Sequence, residues 1–116
     1  MAIENGTLLR IFLGEDDKSQ GRPLYEAIVL KARERHLAGA TILRGPMGFG
    51  HSSRLHTAKI LRLSEDLPII IEIVDSEEKI AGFLPELEKL MPDSGLITLE
   101  KVQVVRYGPR DARPGG

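Results

Sequence analysis

One stretch of the chain concentrates residue types that can meet a ligand: Arg44-Gly-Pro-Met-Gly-Phe-Gly50-His-Ser-Ser-Arg54-Leu-His56. Glycines at 45, 48 and 50 permit positive φ and let the backbone approach a bound group closely. Successive N–H groups in such a loop can line a concave, anion-binding nest. His51, Ser52, Ser53, Arg54 and His56 supply further donors just beyond it. Phe49, between two glycines, offers a ring to stack on a base or to dock into a neighbouring subunit. From Arg35 to Ser64 there is no Asp or Glu, whereas the window holds Arg35, Arg44, Arg54, Lys59, Arg62 and all three histidines, His36, His51 and His56. A locally positive region on a chain of net charge −1 suits a small anion better than a long polyanion. The candidate ligand contacts are therefore Arg44, Gly45, Gly48, Phe49, Gly50, His51, Ser52, Arg54 and His56. The competing reading is an ordinary surface loop whose glycines serve only its turns.

Other chemistries fit these residues less well. Gly45 to Ser52 nearly matches the spacing of a phosphate loop, but His51 stands where a permanently charged lysine is required, and no strongly helical segment follows. The dinucleotide fingerprint fails because Ser53 occupies its third glycine position. His51 and His56 lack a nearby carboxylate or thiol, which is poor ligand chemistry for zinc, so no metal site is assigned. Ser52 or Ser53 beside His51 or His56 has no orienting acid nearby, so no catalytic residue is assigned either. Arg106, Tyr107 and Arg110 are candidates for the far side of a ligand cleft, with a solvated tail as the alternative.

These residues must be positioned by the elements of one domain, since 116 residues is the size of a single hydrophobic core. Apolar residues at 41% and charged residues at 28% argue against disorder. The absence of cysteine removes disulfides and thiolate chemistry. The apolar run Leu67 to Val74 contains Pro68 and Glu72 and is too short to span a bilayer. The first residues lack the pattern of a signal peptide, so a cytoplasmic location is expected.

Thr7 to Leu13 reads as a strand, with Leu9, Ile11 and Leu13 on one face and Leu8, Arg10 and Phe12 on the other. Pro23 suits the first turn of a helix running to about Leu37, with Leu24, Ile28 and Ala32 as its inner stripe and Gly39 as its cap. Ala40 to Arg44 is a second strand leading into the loop at about 45–57. Ala58 to Leu63 has an ambiguous period, and Pro68 to Val74, apolar on both faces, is placed in the middle of the sheet. Asp75 and Glu78 form a capping-box-like start for a second helix, whose stripe is Ile80, Phe83, Leu84, Leu87, Leu90 and Met91. Pro85 predicts a kink or break near Ala81 to Leu84. Leu96 to Tyr107 is the last strand, followed by a flexible tail from about 108. Phe12 and Phe83 are assigned to the core.

The order β-α-β-(loop)-β-α-β predicts an α+β, ferredoxin-like sandwich, with two helices on one face of an antiparallel sheet. The other face would carry Leu8, Phe12, Ile70, Val74, Val102 and Val104, interrupted by Arg10, Glu72 and Glu100. So much apolar surface predicts a homo-oligomer that buries it. The alternative is a bulge in the last strand that changes which side chains share a face.

The runs Leu9-Arg-Ile-Phe-Leu-Gly-Glu15, Pro23-Leu-Tyr, Gly39-Ala-Thr-Ile, Arg44-Gly-Pro-Met-Gly-Phe-Gly50 and Leu63-Ser-Glu-Asp-Leu-Pro-Ile-Ile-Ile-Glu-Ile-Val-Asp75 resemble one family. It is the PII-like family catalogued as domain of unknown function one-ninety, and the similarity extends from about Leu8 to Tyr107. The resemblance implies a PII-like fold, a homotrimer and an adenine-nucleotide site (AMP, ADP or ATP) at the subunit clefts. It implies a signalling role exerted through the 45–57 loop, which would contact nucleotide phosphates and a target protein. The near-neutral charge predicts no nucleic-acid partner, and any membrane contact is expected only by way of a partner. PII proteins of enteric type carry a modifiable tyrosine in that loop, and here the only tyrosines are Tyr25 and Tyr107. A small phosphate-handling enzyme and a metal-binding trimer of the CutA type are the alternatives; the missing cysteines count against the second.

Overall fold

Alternation of apolar side chains along the first strand sets up the whole sheet. In the computed structural model, which describes residues 2–45, 47–49, 55–57, 67–91 and 95–108, this strand is β1 (Glu4–Gly14). It is followed by the two-residue strands β2 (Lys18–Ser19) and β3 (Arg22–Pro23), which pair with each other. Next come α1 (Leu24–Glu34), β4 (Thr41–Arg44), β5 (Met47–Phe49), β6 (Leu55–Thr57), β7 (Pro68–Asp75), α2 (Glu77–Leu90) and β8 (Leu96–Val104). The main sheet has the order β4-β7-β1-β8 and is antiparallel throughout. The strand that is apolar on both faces, β7, lies inside the sheet as its composition requires.

Register explains how the faces divide. Leu9, Ile11 and Leu13 lie opposite Ile73, Ile71 and Ile69, and all six are buried. Against them pack Leu24, Ile28 and Ala32 from α1 and Ile80, Phe83, Leu87 and Met91 from the second helical segment. Both helices therefore cover one face, as the stripes predict. On the opposite face Leu8 lies beside Val74 and Glu100, Arg10 beside Glu72 and Thr98, and Phe12 beside Ile70 and Leu96. No bulge shifts these faces: β1 and β8 pair continuously from Glu4–Val104 to Phe12–Leu96. Phe83 is core, but Phe12 is only half-buried because it belongs to the open face. The mid-strand charges pair across strands of the same chain, Arg10 Nε lying 2.9 Å from Glu72 and Arg10 Nη1 4.0 Å from Glu100.

Three local expectations are corrected. The first helix stops not through Gly39 but through His36, which takes a left-handed conformation at φ 60°. The His36 N–H donates to the Arg33 carbonyl and the Leu37 N–H to that of Ala32, the paired bonds of a Schellman motif. Leu37 then packs against the core. The second helix is capped by Ser76, whose hydroxyl accepts from the Lys79 N–H at 3.2 Å. Asp75, fully buried, instead accepts from Ala38 N at 2.8 Å and Ser76 N at 2.7 Å, tying the α1–β4 connection to the start of α2. Finally, α2 is continuous through Pro85, so of the kink or break expected near Ala81 to Leu84 the break does not occur. Pro85, Ala81 and Gly82 face solvent, so water can satisfy the carbonyl that Pro85 leaves without a donor, while Ile80, Phe83 and Leu87 hold the helix on the sheet.

The assignment over Ala58 to Leu63 lies outside the described residues, as does the tail beyond Gly108. Among the described residues no helix is long and apolar enough to cross a membrane.

Candidate functional site

The glycine-rich segment leaves the sheet where β4 ends, at the rim formed by Gly14, Pro68 and Leu96 at the corresponding ends of β1, β7 and β8. Gly45 is fixed there by its N–H, which donates to the Pro68 carbonyl at 2.8 Å. A Cβ on Gly45 would come within 2.9 Å of the Pro68 ring, so glycine is required by close approach to a neighbouring strand. Positive φ, the role expected from sequence, is not what this glycine provides.

Beyond Gly45 the chain forms a hairpin ladder. Met47, Gly48 and Phe49 of β5 lie opposite Thr57, His56 and Leu55 of β6. The stretch read as a loop thus contains two short strands, which runs of three residues do not announce by periodicity. In an extended strand successive N–H groups point to alternate sides. Met47 to Phe49 therefore does not present the converging N–H groups of a nest. Gly50, His51, Ser52 and Arg54 lie outside the described residues, and of Phe49 and His56 the backbone alone is described.

Arg44 is brought to the base of this hairpin, and its Nη2 meets Glu15 Oε2 at 2.6 Å. Glu15 sits in the turn after β1, its own N–H donating to the Leu67 carbonyl at 2.8 Å. At the other margin of the acid-free window, Arg35 Nε is 2.8 Å from Glu86 Oε2. Both described arginines of that window are thus matched by acids from elsewhere in the chain. Glu15 is the site neighbour that sequence reasoning missed; the signal available was the acidic turn Gly14-Glu-Asp-Asp17.

Tyr107 is not brought to this rim. It folds over the start of β1, its hydroxyl 3.3 Å from where a Cβ on Gly6 would lie, close to Val104. Gly6 and Gly14 are opposite ends of one strand, roughly 25 Å apart at about 3.3 Å per residue. Within a single chain Arg106 and Tyr107 are therefore remote from Arg44, and Arg110 lies outside the described residues.

A four-stranded antiparallel sheet in this order, two helices on one face and a hairpin leaving the edge strand define a PII-like, ferredoxin-like α+β protein. Residues 6–104 match the model of the DUF190 family, described as an uncharacterised ACR, and the chain belongs to that family. It is 41% identical over 105 residues to a UPF0166 protein of Aquifex aeolicus, an alignment covering 90% of this chain and 98% of the relative. Among solved structures it is similar to CPII, a nitrogen regulatory PII-like protein from Thiomonas intermedia bound to ADP, AMP and bicarbonate. The TM-score is 0.65 at 22% identity, with 90% of this chain and 92% of CPII covered. It is equally similar to a PII-like signalling protein from Thermus thermophilus, with a TM-score of 0.65 at 23% identity and coverages of 90% and 94%. At these identities the likeness establishes the fold.

Proposed function

We propose that the protein is a cytoplasmic, PII-like regulatory module that binds an adenine nucleotide, AMP, ADP or ATP, and assembles as a homotrimer. The observation that carries this reading is the hairpin anchored by Gly45 at the sheet rim, drawn from a stretch of sequence without acidic residues. The likeness to CPII, whose structures hold ADP and AMP, supports an adenine nucleotide as the anion. In this mechanism the side chains of Ser52 and Arg54, with the backbone N–H of Gly50, donate to phosphate oxygens. Phe49 or an adjoining subunit covers the base, and His51 and His56 border the site. Ligand contact then fixes the conformation in which residues 45–57 are presented to a target protein.

Calorimetric titration of ATP, ADP and AMP into wild type and Arg54→Ala tests the proposal. Micromolar binding to wild type that is lost in the variant is the expected result. Absence of heat with all three nucleotides would refute it. Product formed in the same mixtures would instead identify a phosphate-handling enzyme.

A further inference from the structure

The Arg44 guanidinium, at the root of the proposed ligand segment, already has a carboxylate partner. Its Nη2 is 2.6 Å from Glu15 Oε2, and the Glu15 side chain is the more covered of the two, 23% exposed against 55% for Arg44. Both backbones are held: Gly45, next to Arg44, bonds to the Pro68 carbonyl, and Glu15 bonds to the Leu67 carbonyl. Strand β7 lies between β4 and β1, so the arginine reaches past an intervening strand, about 10 Å from its own at the usual spacing, to find Glu15. The neighbouring Asp17 is committed locally, its carboxylate accepting from Gly14 N at 3.0 Å and its carbonyl from Leu24 N at 2.7 Å. Glu15 is thus the acid placed to hold Arg44.

A guanidinium offers five donors in a planar fork, and that fork fits the oxygen pair of a carboxylate or of a phosphate. More than half of the Arg44 side chain is exposed at the end of β4 from which the hairpin departs, so an arriving anion can reach it without unfolding the rim. Resting on the nucleotide reading above, we propose that Glu15 is a resident counter-ion that competes with the ligand's phosphate for Arg44. Binding is then an exchange, phosphate for carboxylate on the guanidinium, and Glu15 sets the ligand concentration at which the module responds. The alternative role for the pair is a simple latch that holds the hairpin root in place. The two roles predict opposite signs: removing a competitor tightens binding, whereas removing a latch weakens it or leaves it unchanged.

The experiment is a double-mutant cycle by calorimetry with ADP and with inorganic pyrophosphate, using wild type, Glu15→Gln, Arg44→Ala and the double variant. Glu15→Gln is expected to bind about fivefold more tightly than wild type, the size expected for losing one partly exposed counter-ion. The gain should vanish in the Arg44→Ala background. Unchanged or weaker binding by Glu15→Gln overturns the exchange while leaving the nucleotide reading intact. Tighter binding that persists without Arg44 also overturns it, since Glu15 would then act only through its long-range field. If wild type and all variants bind neither ligand, and ATP and AMP give no heat either, the nucleotide reading itself fails and the exchange falls with it.

Discussion

Single residues at the strand ends carry conformational demands that their types only partly advertise. Gly45 is confined by the Pro68 ring, a rigid neighbour that cannot swing aside as a long side chain would. Gly45→Ala is therefore expected to lose about 1–3 kcal/mol in urea unfolding. His36 holds a backbone conformation better suited to glycine, since its Cβ crowds the following carbonyl there. His36→Gly is expected to gain about 0.5–1 kcal/mol, provided the bonds from His36 N and Leu37 N persist. A loss in that variant would show that the imidazole is stabilising by some other contact.

At the scale of elements, the start of α2 separates two roles that adjacent residues divide. Ser76 caps the helix and Asp75 satisfies backbone donors of two segments. Ser76→Ala should lose about 1 kcal/mol. Asp75→Ala, which strips two part-buried N–H groups of a charged acceptor, should lose about 3 kcal/mol. If the two losses came in the reverse order, the cap assignment would be wrong. The sequence pattern S/T/D/N followed three residues later by Glu pointed to Asp75, and the actual cap lies one residue on because Asp75 completes β7. By contrast β1, α1, β7 and the α2 stripe were legible, because Leu9-Ile11-Leu13 and Leu24-Ile28-Ala32 repeat at the period of their own element.

For the whole molecule, the proposed homotrimer rests on the open sheet face. Leu43, Ile70, Phe12 and Leu96 follow one another across all four strands in register, a continuous apolar row with Leu43 44% and Leu96 56% exposed. Light scattering of the wild type is expected to give three times the 12.8 kDa chain mass. Leu43→Glu with Leu96→Glu should lower that mass to one chain with the far-ultraviolet circular dichroism retained, because neither side chain belongs to the helix-covered core. A wild type that scatters as a single chain would contradict the homotrimer.

The candidate site divides along the same line. Its glycines, its stretch without acids and its place after the second main strand were visible in the residues, as were the runs shared with the family. That Gly45 is required by Pro68, that Met47 to Phe49 is extended, and that Glu15 and Glu86 return negative charge to Arg44 and Arg35 was decided by the tertiary structure. The physical reason is range. A side chain's face and its element's period are set by neighbours within a few residues. The partner of a charge is set by strand order and register, which bring together residues as far apart as Glu15 and Arg44.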